Sequence, residues 1–181
     1  MMSEDELNRD WQLSFEEKNQ GRAWVLGNDV STDAIISGKY LEIRDFQSLS
    51  KHVLEGVVED FPAKVKPGDI IIAGDNFGAG SSREQAPTLL KFLGIGALYA
   101  KSFARIFFRN AINIGLPAFT ITQDVLDAFK DGDEIGYTIE PPLLENASSD
   151  QQFHLPAFPS FFTNILRHGG VIPLLKEELS A

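Results

Sequence analysis

Short apolar runs closed by glycine, proline or polar turns recur through the middle of this chain, and between them the apolar positions switch to helical spacing. Arg22-Ala23-Trp24-Val25-Leu26, Asp69-Ile70-Ile71-Ile72-Ala73, Gly96-Ala97-Leu98-Tyr99-Ala100 and Pro117-Ala118-Phe119-Thr120-Ile121 each read as a strand. Glu84 to Phe92 has helical composition, with Leu89, Leu90 and Leu93 as its apolar stripe. Phe103, Phe107, Ala111 and Ile114 mark a second helix that stops at Gly115. Ser48 to Leu54, Gln123 to Phe129 and Pro159 to Arg167 read as further helices, and Gly136 to Glu140 as a strand ended by Pro141-Pro142. Asn146 to Gln152 reads as a polar loop, and Val171 to Leu175 as a last segment after Gly169-Gly170. Strand–helix–strand alternation predicts an α/β fold with parallel pairing and right-handed crossovers.

The first twenty residues differ from the rest. They carry six acids and two bases, with Trp11, Leu13 and Phe15 among their large apolar groups. The expectation is an acidic arm over residues 1–20, outside the core, followed by one domain over residues 21–181. No stretch approaches the ~18 consecutive apolar residues of a membrane span. The acidic N-terminus lacks the basic and apolar regions of a secretory signal. The chain has no Cys, hence no disulfide and no thiolate ligand, and His52, His154 and His168 lie far apart without metal-ligand spacing. These features fit a reducing, cytoplasmic setting. A net charge of -10 argues against nucleic acid as a partner. The charge is uneven, however: from Gly80 to Asn110 the cations Arg83, Lys91, Lys101, Arg105 and Arg109 face a single acid, Glu84. That segment is either a basic pocket for a di- or tricarboxylate or a set of side chains paired or solvated elsewhere.

The densest candidate chemistry lies between the second strand and the first helix, in Gly74-Asp75-Asn76-Phe77-Gly78-Ala79-Gly80-Ser81-Ser82-Arg83-Glu84-Gln85-Ala86-Pro87. A glycine-rich strand-to-helix turn aims backbone N–H groups and the positive end of a helix dipole at one point. Arg83 adds a planar guanidinium that suits a carboxylate, and Ser81 and Ser82 add hydroxyls. The plainer alternative is an ordinary turn with Ser82 as helix N-cap. It is not a dinucleotide fingerprint, for it lacks G-x-G-x-x-G, nor a Walker A loop, for no Lys-Ser/Thr closes it.

Gly80-Ser81-Ser82-Arg83-Glu84, the block from Ala100-Lys101-Ser102-Phe103 to Asn113-Ile114-Gly115-Leu116-Pro117, and Asp29-Val30-Ser31-Thr32-Asp33-Ala34-Ile35-Ile36 together resemble the swivelling domain of the aconitase superfamily. The nearest likeness is to the small subunits of 3-isopropylmalate dehydratases, over roughly residues 21 to 176. The resemblance implies a single swivelling (β/β/α) domain like the C-terminal domain of aconitase. It implies a hydro-lyase that moves a hydroxyl between neighbouring carbons through a dehydrated intermediate. By resemblance, Ser81 is the catalytic base, and Arg83 binds a substrate carboxylate. Ser82 contributes its hydroxyl or N–H, and Glu84 steadies the turn or Arg83. Related enzymes use a [4Fe-4S] cluster as Lewis acid, and cluster ligation needs Cys thiolates. The resemblance therefore places the cluster on a separate Cys-bearing large subunit, with no cofactor or metal on this chain.

Family members differ by substrate in the loop after Tyr40-Leu41, here Glu42-Ile43-Arg44. Glu42 beside Ile43 suits an alkyl group, which ranks the isomerisation of 2- and 3-isopropylmalate, a step of leucine biosynthesis, first. Arg44, placed like the substrate-binding Arg of single-chain aconitases, is the counter-argument, and keeps homoaconitate, citrate or dimethylmalate open. A non-catalytic, carboxylate-binding regulatory subunit is the remaining alternative. Gln85 stands where many relatives have His, and Ala79 where many have Cys, which bears on details of the pocket but not on the base.

Overall fold

The computed structural model describes residues 13–180. Among them a seven-stranded sheet runs in the order β4-β3-β2-β1-β5-β6-β7. The strands are β1 (Asn19–Val25), β2 (Ile70–Ala73), β3 (Ala97–Ala100), β4 (Ala118–Thr120), β5 (Glu134–Thr138), β6 (Leu143–Asn146) and β7 (Gln151–His154). β1 joins two halves of opposite character. Through Ala23 to Val25 it pairs in parallel with β2, which continues to β3 and β4; through Asn19 to Arg22 it pairs antiparallel with β5. The fold class is the expected α/β, and the parallel half carries the expected strand–helix alternation.

The reason for the parallel half lies in its composition. β2 and β3 are buried at every position, as strands covered on both faces must be. Period-two alternation then sends Ile71 and Leu98 into one apolar cluster and Ile70, Ile72 and Tyr99 into the other. The first cluster holds the helices α4 (Gln85–Phe92), α5 (Arg105–Asn113) and α7 (Ser160–Arg167), which bury Leu89, Leu90, Phe107, Ala111 and Ile165. The second holds Ile135, Tyr137 and Leu144 of the antiparallel half.

Several elements depart from the sequence expectation. The polar stretch Asn146 to Gln152 is the connection of a hairpin, with β6 and β7 paired from Leu143↔His154 to Asn146↔Gln151. Pattern alone misses these strands because each is only four residues long and β7, at the sheet edge, is mostly polar. The segment from Val171 continues as a ten-residue helix, α8 (Val171–Ser180). Short helices α1 (Thr32–Ile35), α2 (Phe46–Ser50) and α3 (Phe61–Lys64) precede β2, and α6 (Gln123–Asp127) follows β4. Ser31 and Asp45 cap α1 and α2 through Ala34 N (3.0 Å) and Ser48 N (2.7 Å). Residues 1–12 of the expected arm lie outside the described residues. β1 starts within the remainder, and Leu13 and Phe15 pack on the apolar clusters.

The glycine at position 78 is dictated by contact as well as by dihedral. Gly78 has φ +78°, and a Cβ there would sit 2.1 Å from Cγ of Phe107. Gly78→Ala is expected to cost about 3 kcal/mol or more, from a left-handed non-glycine residue and a buried clash together. A thermal melt of the variant checks this, and an unchanged Tm would show that the turn relaxes around the methyl group.

Candidate active site

The turn between β2 and α4 is held from both sides. From the segment after β1, Asp75 N donates to Asn28 Oδ1 (2.8 Å), Gly78 N to Val30 O (2.8 Å) and Thr32 N to Ala79 O (2.8 Å). From the segment after β3, the backbone N of Asn76 donates to Ser102 Oγ (2.8 Å) and Phe77 N to Ser102 O (2.9 Å). Phe77 is buried between these flanks, its ring 5.3 Å from that of Phe107. Asn76, Gly78 and Gly80 adopt positive φ, a conformation glycine takes at no steric cost. The three sequence blocks that carry the resemblance thus meet here.

Ser81 and Ser82 are exposed at the tip. Ser81 is fixed by its carbonyl, which accepts from Thr32 Oγ1 (3.1 Å) and Arg83 N (2.8 Å). Its hydroxyl has no hydrogen-bond partner among the described residues. Nor have the N–H groups of Ser81, Ser82 and Glu84, so three backbone donors and one hydroxyl are free at the head of α4. Ser82 is not the helix cap: that position is Glu84, and no side chain bonds there. Thr32, 2% exposed, is a site residue that sequence reasoning placed only as a local turn former. Its bond to Ser81 spans 49 positions, and no local signal announces it.

Arg83 is half-buried and directed by one nitrogen. Nη1 donates to Asp33 Oδ1 (2.6 Å) and to Ile36 O (3.0 Å). Its other guanidinium donors have no acceptor among the described residues, so one edge of the fork is left for a carboxylate. Asp33 also accepts from Gly38 N (3.0 Å), tying the clamp to the turn Gly38–Tyr40 that opens the variable loop. Arg83, and then Gly38 N–H, hold the Asp33 carboxyl below the usual carboxylate range. Asp33, not Glu84, is what steadies Arg83; the Glu84 side chain makes no bond among the described residues.

The other cations do not converge on the turn as a single pocket. Lys101 pairs with Asp75 (2.8 Å) at its base. Lys91 donates to the carbonyls of Ile114 and Gly169, ending α5, and burial lowers its ammonium to about 8. Arg105 and Arg109 are exposed on α5. In the variable loop Ile43 packs on the core, while Glu42 and Arg44 are exposed and make no hydrogen bond or ion pair among the described residues. Tyr40 anchors this loop through Glu55 Oε2 (2.6 Å) and a stack on His52, with ring centroids 3.7 Å apart.

A model of the aconitase C-terminal domain matches residues 28–124, which contain all three blocks. The chain belongs to the aconitase C-terminal domain family. It is 47% identical to the 3-isopropylmalate dehydratase small subunit 1 of Methanopyrus kandleri, over 88% of this chain and 93% of that protein. It is 44% identical to the isopropylmalate/citramalate isomerase small subunit of Methanocaldococcus jannaschii, over 89% of this chain and 95% of that one. A solved 3-isopropylmalate dehydratase structure from M. jannaschii superposes with a TM-score of 0.83 at 42% identity, covering 90% of this chain and 95% of the other. The iron–sulfur cluster associated with this family does not fit the residues present. The chain has no Cys, and no group of three or more His, Asp or Glu suited to a metal ion occurs among the described residues. No helix among them is long and apolar enough to cross a membrane.

Proposed function

We propose that this chain is the small subunit of a two-chain, cytoplasmic hydro-lyase that interconverts 2- and 3-isopropylmalate in leucine biosynthesis. The observation that carries the reading is the tip of the turn. An exposed Ser81 hydroxyl, free N–H groups and the open edge of Arg83 stand together, in a chain similar to small subunits of that activity. Arg83 binds a substrate carboxylate, and Ser82 supplies a further donor. Ser81 then removes the proton from the carbon beside a carboxylate, its alkoxide held by the N–H groups of the turn and by the guanidinium. The hydroxyl leaves from the neighbouring carbon, and return of water in the other orientation gives the isomer. Departure of hydroxyl needs a Lewis acid, which falls to a Cys-bearing large subunit.

The test is a substrate panel on the reconstituted two-chain complex, following absorbance of the unsaturated intermediate. Turnover of isopropylmalate supports the reading. Binding without turnover of any hydroxy acid would favour a regulatory subunit. The M. jannaschii relative named for both isopropylmalate and citramalate makes citramalate the second substrate to test. Because Arg44 is exposed, Arg44→Ala is expected to leave kcat/KM for isopropylmalate within a factor of a few of wild type. A larger fall for a tricarboxylate substrate alone would assign Arg44 to a third carboxylate and move the reading toward homoaconitate or citrate.

A further inference from the structure

A groove of about 470 Å³ opens beside the turn, between α5, α7 and the ends of β3 and β4. Its walls are apolar: Phe103, Phe108, Ile112 and Phe162, with the rings of Phe108 and Phe162 6.0 Å apart. Arg105 and Arg109 line it one helical turn apart, and neither has an ion-pair partner among the described residues. The surrounding surface is apolar as well. Phe161, 67% exposed, lies 6.0 Å ring to ring from Phe162, and Ile106, 56% exposed, follows Arg105. Aromatic side chains and arginines around a hydrophobic hollow are the composition of a protein interface core. Exposed large apolar groups grouped in this way mark an interaction surface rather than ordinary solvent-facing scatter.

We propose that this groove receives an acidic and apolar segment of the large subunit. The proposal rests on the two-chain reading above. Two observations fix the occupant. Arg105 and Arg109 meet no carboxylate among the described residues, so the complement they call for is a negative group brought by a partner. The groove also shares residues with the active turn: Lys101 and Ser102 line it, and the same side chains bind Asp75 and the backbone of Asn76. A partner seated there touches the base of the turn whose tip carries Ser81 and Arg83. Docking therefore brings the second half of the chemistry to the first.

Affinity for the purified large subunit, measured by titration calorimetry without substrate, tests this with Ile106→Asp and Arg109→Glu. Both positions are exposed, so neither change removes a buried contact of the isolated chain. Each is expected to raise Kd about tenfold or more, and Arg109→Glu also to flatten its salt dependence. At saturating large subunit, kcat should stay at the wild-type value. If wild type fails to bind the large subunit at all, the two-chain reading falls and this inference with it. If wild type binds and both variants bind equally well, the groove alone is excluded. If both variants bind more weakly only in proportion to a lowered melting temperature, the groove serves the fold and not the partner. If the variants instead abolish self-association of the isolated chain, a second copy is what the groove holds. Either result overturns the proposal.

Discussion

Replacing Ser81 by Ala is expected to lower kcat of the reconstituted enzyme by about 10²–10⁴-fold, the usual effect of removing a positioned base, with the melting temperature unchanged. The second half follows from the structure. The Ser81 hydroxyl bonds to nothing among the described residues, whereas the contacts that hold the residue run through its carbonyl to Thr32 and Arg83 N and survive the substitution. Turnover and a thermal melt on the same preparation separate the two effects. A kcat near wild type would take the base away from Ser81 and leave the turn as a binding element only. A falling melting temperature would show that the hydroxyl has a structural role.

Arg83→Lys is expected to lose about 10- to 100-fold in kcat/KM, the range of a charge-assisted hydrogen bond, and nearly as much as Arg83→Ala. Arg83 does two things with one planar group. Nη1 holds Asp33 and the Ile36 carbonyl, and the remaining edge stays free. An ammonium is a point charge without a second edge: drawn to Asp33, it leaves the substrate carboxylate unpaired. Kinetics of both variants at saturating large subunit decide the matter. Retention of most kcat/KM by Arg83→Lys would assign the carboxylate clamp to another residue. The turn itself should survive either change, since Asn28, Val30, Thr32 and Ser102 bind its backbone.

Much of this architecture was legible in local sequence. The strands of the parallel half are continuous apolar runs because both faces of each are covered, and α4 and α5 show helical periodicity because each lays one stripe on the sheet. Gly-Ser-Ser-Arg-Glu marked the turn. The hairpin of β6 and β7 was not legible, since β7 is a mostly polar edge strand and the four residues of β6 are too few for a periodic apolar signal.

What the sequence determined by itself was chemistry confined to neighbours: the strands of the parallel half, the helices α4 and α5 between them, and which residues stand contiguous at Ser81, Ser82 and Arg83. Tertiary structure alone decided the pairings across long separations. Thr32 reaches Ser81 over 49 positions, and Asp33 reaches Arg83 over 50. It also sorted the cations, turning Lys91 to helix-end carbonyls, Lys101 to Asp75, and Arg105 and Arg109 to an open groove. Charge along a chain has no direction until the backbone is folded. Only the fold settles whether a positive side chain meets a carboxylate of its own chain, a carbonyl, or the surface where another molecule binds.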